Sequence, residues 1–226
     1  FITVSSSYAA GSAYHKLAYD PVEGITPVIL LGTTGMLLTA HPALPVRSVK
    51  DLVSHARTYP GKLSYGTVGV GSVTHLAHEL LNLEAKINTV HIPFKGSGPA
   101  IVGIIGNEAH FGMLSAVPVL PHLKAGRLRA LGVTTAKRLA LLPEVPGIGE
   151  TVPGFDVPHW YAIWGPKGIP KNIVALWNRE VSKILLTEEM SRQMRGEGME
   201  PAGGPDRKST RLNSSHIPLS RMPSSA

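Results

Sequence analysis

The stretch from Tyr65 to Ala100 constrains the fold of this chain more than any other part of its sequence. It predicts a short strand, a glycine-rich turn, an amphipathic helix that begins near Ser72 or Thr74, a second strand, and another Gly/Ser-rich turn that leads into a helix. The apolar positions of the first helix fall on one face: Val73, Leu76, Ala77, Leu80 and Leu81. Strands separated by helices continue to about residue 134. This alternation is typical of parallel βαβ units, so the sequence predicts an α/β fold.

The glycine-rich turn before the first of these helices predicts an anion-binding site. Gly66, Gly69 and Gly71, together with the small side chains of Thr67 and Ser72, leave backbone N–H groups uncovered beside the positive end of the helix dipole. A carboxylate or a phosphate group fits such a site, and a tight turn that binds nothing is the alternative. The turn is not a dinucleotide fingerprint, because the third glycine is absent, and it is not a P-loop, because no Gly-Lys-Ser/Thr follows.

Two histidines on the predicted helix raise the question of a metal. His75 and His78 are three residues apart, but the sequence offers neither an HExxH pattern nor a third ligand near them. We therefore expect no metal and no cofactor. His75 lies in the first helical turn, where it can reach a bound anion, whereas His78 is expected on the solvated face beside Glu79.

The serines of this region are expected to cap helices or to form hydrogen bonds with a ligand, and not to act as nucleophiles. Ser72, Ser97 and Ser115 lie outside any G-x-S-x-G elbow, and no His/Asp pair is placed to serve them. Lys95, in the second Gly/Ser-rich turn, is either an anion contact or a solvated loop lysine. No catalytic residue is predicted.

The composition excludes several functional classes. The chain has no cysteine, so it carries neither disulfides nor a thiolate metal site. It contains no apolar run of about 18 residues, so a membrane span is not expected. The last 21 residues hold four basic residues and one acid, which contributes +3 of the net charge of +7 and leaves +4 for the remainder. Because no basic cluster with interleaved aromatic residues stands out, nucleic-acid binding is not expected.

The two ends of the sequence predict a fragment. The chain opens on FITV, which reads as the middle of a strand, without an initiator Met or a signal peptide. Residues 206–226 contain six serines, lack hydrophobic periodicity and follow Gly-Gly-Pro. This tail is interpreted as a non-native, disordered assembly artefact, with a natural disordered tail as the alternative, and it does not enter the fold prediction.

Two further helices have clear signals. Ser48 and Asp51 form the pattern of a capping box before an apolar stripe, and Pro60-Gly61 ends that helix. A later helix opens at Ile169-Pro170. Its apolar residues are all expected to face inward: Ile173, Val174, Leu176, Trp177, Val181, Ile184 and Leu185.

Five blocks of this sequence together resemble one known family. They are YGTVGVGSVTHLAHELL, VHIPFKGSGPAI, PHLKAGRLRALGVTTAKR, LPEVPGIGET and GPKGIPKNIVALWNREVSKIL, in that order. In sequence and spacing they resemble the extracytoplasmic solute receptors of tripartite tricarboxylate transporters, the Bug-type substrate-binding proteins. The resemblance covers about residues 1 to 205.

The resemblance implies a periplasmic-binding-protein fold, in which two α/β domains are joined by crossover strands and the ligand lies in the cleft. Residues 1–30 and 161–205 would be the surviving parts of domain one, whose N-terminal part is missing, and 31–160 would be domain two. It further implies a periplasmic receptor, expected to be monomeric, that passes a small organic carboxylate to membrane permease subunits and is not an enzyme. The alternative is an enzyme that acts on a small carboxylate or a phosphate ester through the same anion site.

The resemblance also implies a set of ligand-binding residues. Gly66 to His75 matches the second of the family's two carboxylate-binding loops, and the first loop is absent from this chain. The implied ligand-binding residues of domain two are Gly66, Thr67, Gly69, Gly71, Ser72, Thr74, His75, Phe94, Gly96 and Ser97. Ser6 and Ser7 would face the cleft from domain one. Leu114-Ser115 stands where many members have an Asp or Asn, so an amine-bearing ligand is not implied.

Overall fold

The computed structural model describes residues 1–8, 20 and 23–202, which form two compact units. The first unit holds the described residues of Phe1–Thr34 and of the chain from His159 onward, and the second is Gly35–Pro158. The chain therefore passes between the units twice, after Thr34 and after Pro158. The predicted tail, 206–226, lies outside the described residues.

The strands of the described residues are β1 (Ile2–Ser5), β2 (Ile25–Thr34), β3 (Met36–Ala40), β4 (Ser64–Thr67), β5 (Val90–Pro93), β6 (Phe111–Ser115), β7 (Arg129–Val133), β8 (His159–Pro166) and β9 (Met199–Pro201). The α-helices are α1 (Val49–Thr58), α2 (Val73–Ala85), α3 (Ser97–Ile105), α4 (Ala116–Lys124), α5 (Lys171–Leu185) and α6 (Glu188–Gly196). These strands and helices confirm the predicted α/β fold class. None of the helices in the described ranges is both long and apolar enough to span a bilayer.

The sheet of the second unit has the strand order β5-β4-β6-β3-β7. β4 pairs in parallel with both β5 and β6, as the βαβ pattern predicts, but β3 is antiparallel to β6 and to β7. The predicted parallel βαβ units are therefore present in β4, β5 and β6, and the antiparallel β3 is an addition that the sequence did not predict. The four-stranded sheet of the first unit, β1-β8-β2-β9, pairs only in antiparallel fashion. Hydrophobic periodicity reports which faces of a strand are buried and carries no information on its direction.

Both faces of the second unit's sheet are covered by helices. Alternate residues of β3 enter opposite layers, because successive side chains of a strand point to opposite faces. Leu38 joins the cluster that contains Leu52 of α1 and Leu81 of α2. Leu37 joins the cluster that contains Ile104 of α3. This unit thus has a core of its own on each side of its sheet.

The two predicted helix starts in this unit are confirmed. Ser48 caps α1, since its Oγ accepts a hydrogen bond from the Asp51 amide at 3.1 Å. The Asp51 carboxylate in turn accepts from the amide of Arg47 at 2.9 Å, and this contact is the main cause of its lowered pKa. Ser72 caps α2 in the same way by accepting from the amide of His75 at 3.3 Å.

Helix α5 corrects one sequence prediction. Three of the seven residues expected to face inward are exposed: Leu176 at 42%, Trp177 at 38% and Ile184 at 53%. The helix packs on its sheet through Val174, Val181 and Leu185. Its apolar residues form one arc that is wider than the face that packs on the sheet, so its periodicity alone could not select which of them are buried.

Candidate functional site

Three helices begin at one edge of the second unit's sheet. The parallel strands β5, β4 and β6 end together there, with Thr67 of β4 opposite Pro93 of β5. They lead into α3, α2 and α4 respectively. The positive ends of three helix dipoles therefore lie at the carboxyl edge of the strands, which is where open α/β sheets bind ligands.

The glycine-rich loop at this edge is more hydrogen-bonded than its sequence predicts. The amide of Val68 donates to Thr74 Oγ1 at 3.1 Å, and the amide of Gly69 donates to Thr67 Oγ1 at 3.2 Å. The amide of Gly71 donates to His75 Nδ1 at 3.3 Å, and that of Ser72 donates to the Gly69 carbonyl at 3.3 Å. The prediction of uncovered N–H groups in this turn is therefore wrong for these four amides.

The hydroxyl groups of Ser72 and Thr74 are committed within the loop as well. Ser72 Oγ lies 2.7 Å from the Gly69 carbonyl oxygen, which can only accept, so the single proton of Ser72 is donated there. Thr74 Oγ1 lies 2.8 Å from Ser72 Oγ and must then supply its own proton to that contact. Neither hydroxyl has a proton left to donate to a bound anion.

The open donors are backbone amides of the two helix starts. Within the described residues, the amides of Val70, Val73 and Thr74 make no hydrogen bond at the start of α2. The amides of Ser97 and Gly98 are open in the same way at the start of α3, where Gly96 provides no side-chain cap. Unpaired first-turn amides beside a positive dipole end favour an anion.

Two residues of the predicted site have a packing role. Gly66 is buried in β4, and a Cβ there would lie 3.0 Å from the Phe94 ring. Phe94 also packs on Gly103, where a Cβ would come within 2.3 Å of the same ring. The amide of Phe94 donates to the carbonyl of Thr67 at 3.0 Å. Phe94 and Gly66 thus hold the two loops together beneath the open amides.

Gly96 and Ser115 occupy the two neighbouring helix starts. Gly96 has a φ of +108°, which favours glycine at this position, and leads into the exposed Ser97. Ser115 precedes α4 without a side-chain cap bond. The topology brings Ser115 to the same edge as the predicted residues, and the sequence analysis did not include it in the site.

Behind the loop, four aromatic rings form a column in the order His78, Tyr65, His91, His75. Successive ring centroids are 4.4, 5.1 and 4.1 Å apart, with interplanar angles of 9°, 16° and 19°. His78 is 1% exposed and its Nδ1 lies 2.6 Å from the Thr74 carbonyl oxygen. The prediction that His78 faces solvent was therefore wrong, because α2 is covered on this side by Tyr65 of β4.

His91 is a residue that the sequence analysis missed. Its Nε2 lies 2.6 Å from Thr67 Oγ1, directly below the loop. The sequence did contain one indication of this position. The segments SYGT and VHIP flank the predicted helix as the two strands of a βαβ unit, and their parallel pairing places His91 beside Tyr65.

The histidines of the column are held in their uncharged form. Burial is the main cause that lowers the pKa of His78 to about 3 and that of His91 to about 4. Burial also lowers the pKa of His75, while the nearby carboxylate of Glu79 acts in the opposite direction. A bound anion at this edge therefore meets neutral donors and not imidazolium charge near neutral pH.

The remaining predicted residues, Ser6 and Ser7, belong to the other unit and directly follow β1. Ser6 is 1% exposed, and its hydroxyl has no hydrogen-bond partner among the described residues.

As for metals, the described part of the chain contains no group of three or more His, Asp or Glu side chains that could hold an ion.

Comparisons with known proteins agree on one family. A family model described as "Tripartite tricarboxylate transporter family receptor" matches residues 2–218. The protein BugT of Bordetella pertussis is 30% identical over 199 residues, which cover 87% of this chain and 61% of BugT. The solved structure of R. palustris Rpa4515 with adipate is 35% identical, with a TM-score of 0.82, and the match covers 90% of this chain and 69% of that one.

A second solved structure is MatC (Rpa3494) from Rhodopseudomonas palustris with bound malate. It is 28% identical, with a TM-score of 0.78, over 92% of this chain and 71% of MatC. The chain spans about three fifths of the length of curated relatives such as BugT. The resemblance carried by the five sequence blocks is thus confirmed: the chain belongs to the receptor family of the tripartite tricarboxylate transporters.

Proposed function

We propose that this chain is part of a periplasmic solute-binding receptor, one that captures a small organic carboxylate and delivers it to the permease subunits of a tripartite transporter. Membership of the receptor family supports this role. R. palustris Rpa4515 was solved with adipate and MatC with malate, and both ligands are dicarboxylates. They support a di- or tricarboxylate as the substrate here, with an aromatic acid as the remaining class.

The proposal assigns the two units to the two domains of such a receptor. The described residues of Phe1–Thr34 and from His159 onward would belong to domain one, and Gly35–Pro158 would be domain two. Ser6 and Ser7 would supply contacts to the ligand from domain one.

Replacing Ser7 by Ala is expected to weaken carboxylate binding, and an unchanged affinity would remove this residue from the site.

The observation that carries the proposal is the set of unpaired amides at the starts of α2 and α3. Val70, Val73 and Thr74 supply three N–H groups, and Ser97 and Gly98 supply two more at the same sheet edge. The two loops contain a single basic residue, Lys95, which is exposed. Affinity for a carboxylate would therefore come from preorganised neutral donors, each worth about 1.5–3 kcal/mol when the partner is charged.

Two hydroxyl–imidazole pairs bear on the alternative of an enzyme. Thr67 Oγ1 lies 2.6 Å from His91 Nε2, and Ser64 Oγ lies 2.8 Å from His110 Nδ1. Both hydroxyl residues are buried, at 0% and 8% exposure. A nucleophile must reach its substrate, so these pairs support a structural role and favour the receptor over the enzyme.

Calorimetry on the full-length protein that contains this chain tests the proposal. Adipate, malate, citrate and benzoate are titrated in turn, and each mixture is then assayed for a chemical product. We expect stoichiometric binding of at least one carboxylate and no product. Failure of all four to bind, or the formation of product, would contradict the receptor function.

A further inference from the structure

Two histidines hold the glycine-rich loop from opposite ends. His91, on β5, contacts Thr67 at the end of β4 through the 2.6 Å approach of Nε2 to Oγ1. His75, on α2, accepts the Gly71 amide at Nδ1. The two rings stack on each other with centroids 4.1 Å apart. The stacked pair therefore links both ends of the loop across two different secondary-structure elements.

Thr67 transmits the contact of His91 into the loop. Its Oγ1 accepts from the Gly69 amide at 3.2 Å and lies 3.3 Å from the Gly69 carbonyl oxygen. Gly69 and Gly71 have φ values of +133° and +73°, conformations that side chains rarely adopt. Each histidine thus restrains one of the two glycines that give the loop its shape. Val70, with one of the open amides, lies between them.

The contact at Gly71 requires an uncharged His75. An imidazole nitrogen accepts a hydrogen bond only when it carries no proton, so protonation at Nδ1 removes the acceptor for the Gly71 amide. Two positive rings 4.1 Å apart also repel each other.

The charged and titratable groups around the pair come from α2 and β4. Glu79, on α2, lies near both rings and accepts a hydrogen bond from the Tyr65 hydroxyl of β4. Its negative charge favours protonation of the pair. The burial of both rings opposes protonation, and a positive charge on His75 further lowers the pKa of His91. His78, on the far side of Tyr65, stays neutral because it is fully buried.

We propose that His75 and His91 are positioning residues of the anion site: their stacked, uncharged rings fix Gly71 and Thr67 and so hold the loop amides in the arrangement that binds a carboxylate. This inference rests on the proposed function. The contact between His75 and Gly71 depends on pH, because protonation of His75 at Nδ1 breaks its hydrogen bond with the Gly71 amide.

A pH titration of the unliganded chain by NMR tests the proposal without any variant. The amide signal of Gly71 and the ring signal of His75 are followed from about pH 8 to about pH 4, a range that brackets the ordinary histidine pKa. The Gly71 amide is expected to shift with the same midpoint as the His75 ring, below the ordinary value of 6.5. A Gly71 amide that stays unchanged while His75 titrates would overturn the proposal.

Three variants refine this test. His75→Gln keeps an acceptor for the Gly71 amide but cannot titrate, so the Gly71 signal should lose its pH dependence. His91→Leu should shift the amide signals of Gly69 and Val70. The matched control is His41→Leu, because His41 Nδ1 also accepts a backbone amide, that of Ala43 at 3.1 Å, away from this loop. If His91→Leu changed the loop signals no more than the control does, His91 would not be a positioning residue.

Adipate, added to the same samples at about pH 7.5, separates this inference from the proposed function. We expect His91→Leu to weaken adipate binding at least about tenfold and the control to leave it unchanged. Loss of the coupling between His75 and Gly71 overturns the positioning role even when adipate binds. If adipate does not bind but the Gly71 amide still titrates with His75, the proposed choice of ligand is contradicted. The positioning role of the two histidines is supported in that case.

Discussion

At the scale of single residues, the loop before α2 offers a bound anion its peptide N–H groups and not the hydroxyl protons of Ser72 and Thr74. The Ser72 proton goes to the Gly69 carbonyl and the Thr74 proton goes to Ser72, so both hydroxyls serve the loop itself. An anion is then left with amides such as those of Val73 and Thr74. Affinity is therefore expected to depend more on the backbone conformation of the loop than on the chemistry of its side chains.

Gly71→Val tests this dependence on backbone conformation. Gly71 has a φ of +73°, which a β-branched residue adopts only at a cost of about 1–3 kcal/mol, so the loop should rearrange. We expect carboxylate affinity to fall about tenfold to hundredfold in calorimetry, which corresponds to the loss of one or two amide contacts. The second unit should stay folded.

Gly126→Val is the matched control for that variant. Gly126 has a φ of +66°, and a Cβ added there would meet no atom within 4 Å, so the substitution imposes the same kind of strain at the end of α4, away from the loop. It should lower stability without changing affinity. Equal loss of affinity in the two variants would show that strain in general, and not the loop, is responsible.

Gly103→Ala tests the support beneath the loop. The new methyl group would come within 2.3 Å of the Phe94 ring, and overpacking of this kind costs about 1–3 kcal/mol of unfolding free energy. Gly98→Ala, in the same helix, meets no atom within 4 Å and should be neutral or slightly stabilising. Urea unfolding of both variants measures the difference, and equal stability would contradict the close packing of Phe94 on Gly103.

Residue-level reasoning from the sequence found the loop but not its internal bonding. Gly69, Gly71 and Ser72 were selected because small residues expose amides, and that argument says nothing about which neighbours accept from them. The roles of His78 and His91 depend on the placement of Tyr65 between α2 and β5, which is a tertiary contact. A linear sequence does not state such contacts.

At the scale of elements, α2 links the stability of the second unit to pH through His78. Its folded-state pKa is lowered to about 3 from an ordinary 6.5, so between these values the unfolded chain binds a proton that the folded chain does not. Stability from this residue is complete above about pH 6.5 and is lost as the pH falls, by up to about 1.4 kcal/mol per pH unit. His91 contributes with the same sign.

Urea unfolding at about pH 7.5 and about pH 5.5, on either side of the ordinary histidine pKa, measures this effect. The free energy of unfolding should fall between the two pH values in the wild type and should fall less in His78→Met. A His78→Met variant with the full wild-type pH dependence would contradict the burial of a neutral His78.

The start of α1 gives a second prediction at this scale. Ser48 accepts from the Asp51 amide, so Ser48→Ala leaves a helix-start donor without its partner and should cost about 1 kcal/mol of unfolding free energy. Ser54→Ala, at an exposed position within the same helix, should have little effect. Equal effects of the two substitutions in urea unfolding would show that the cap does not stabilise α1.

Helix periodicity and caps were enough to predict where most elements lie. The segments around Val73–Ala85 and Val49–Thr58 are examples, because each has a clear apolar stripe and a capping serine. Strand direction was beyond this reasoning, as the antiparallel β3 shows. The buried face of α5 was also ambiguous, because its apolar arc is wider than the part of it that packs on the sheet.

At the scale of the whole molecule, Gly35–Pro158 is one continuous segment with its own sheet and a core on each face. We expect this segment, expressed alone, to fold and to unfold cooperatively in urea. Amide spectra dispersed like those of the same residues in the whole chain would support independent folding. A spectrum typical of an unfolded chain would contradict it.

The family could be recognised from sequence because five blocks keep their order and spacing over most of the chain. The candidate site of the second unit followed from one of these blocks. The proposed contributions of Ser6 and Ser7 come from the resemblance alone and did not follow from local sequence. They stay a prediction.

The most direct test of the account is an amide NMR map of carboxylate binding in the full-length protein. Adipate and malate are added to labelled protein at about pH 7.5 until the spectra stop changing. We expect the largest shifts at Val70, Val73, Thr74, Ser97 and Gly98, where α2 and α3 begin. Saturable shifts confined to other parts of the protein, with these five amides unchanged, would contradict it.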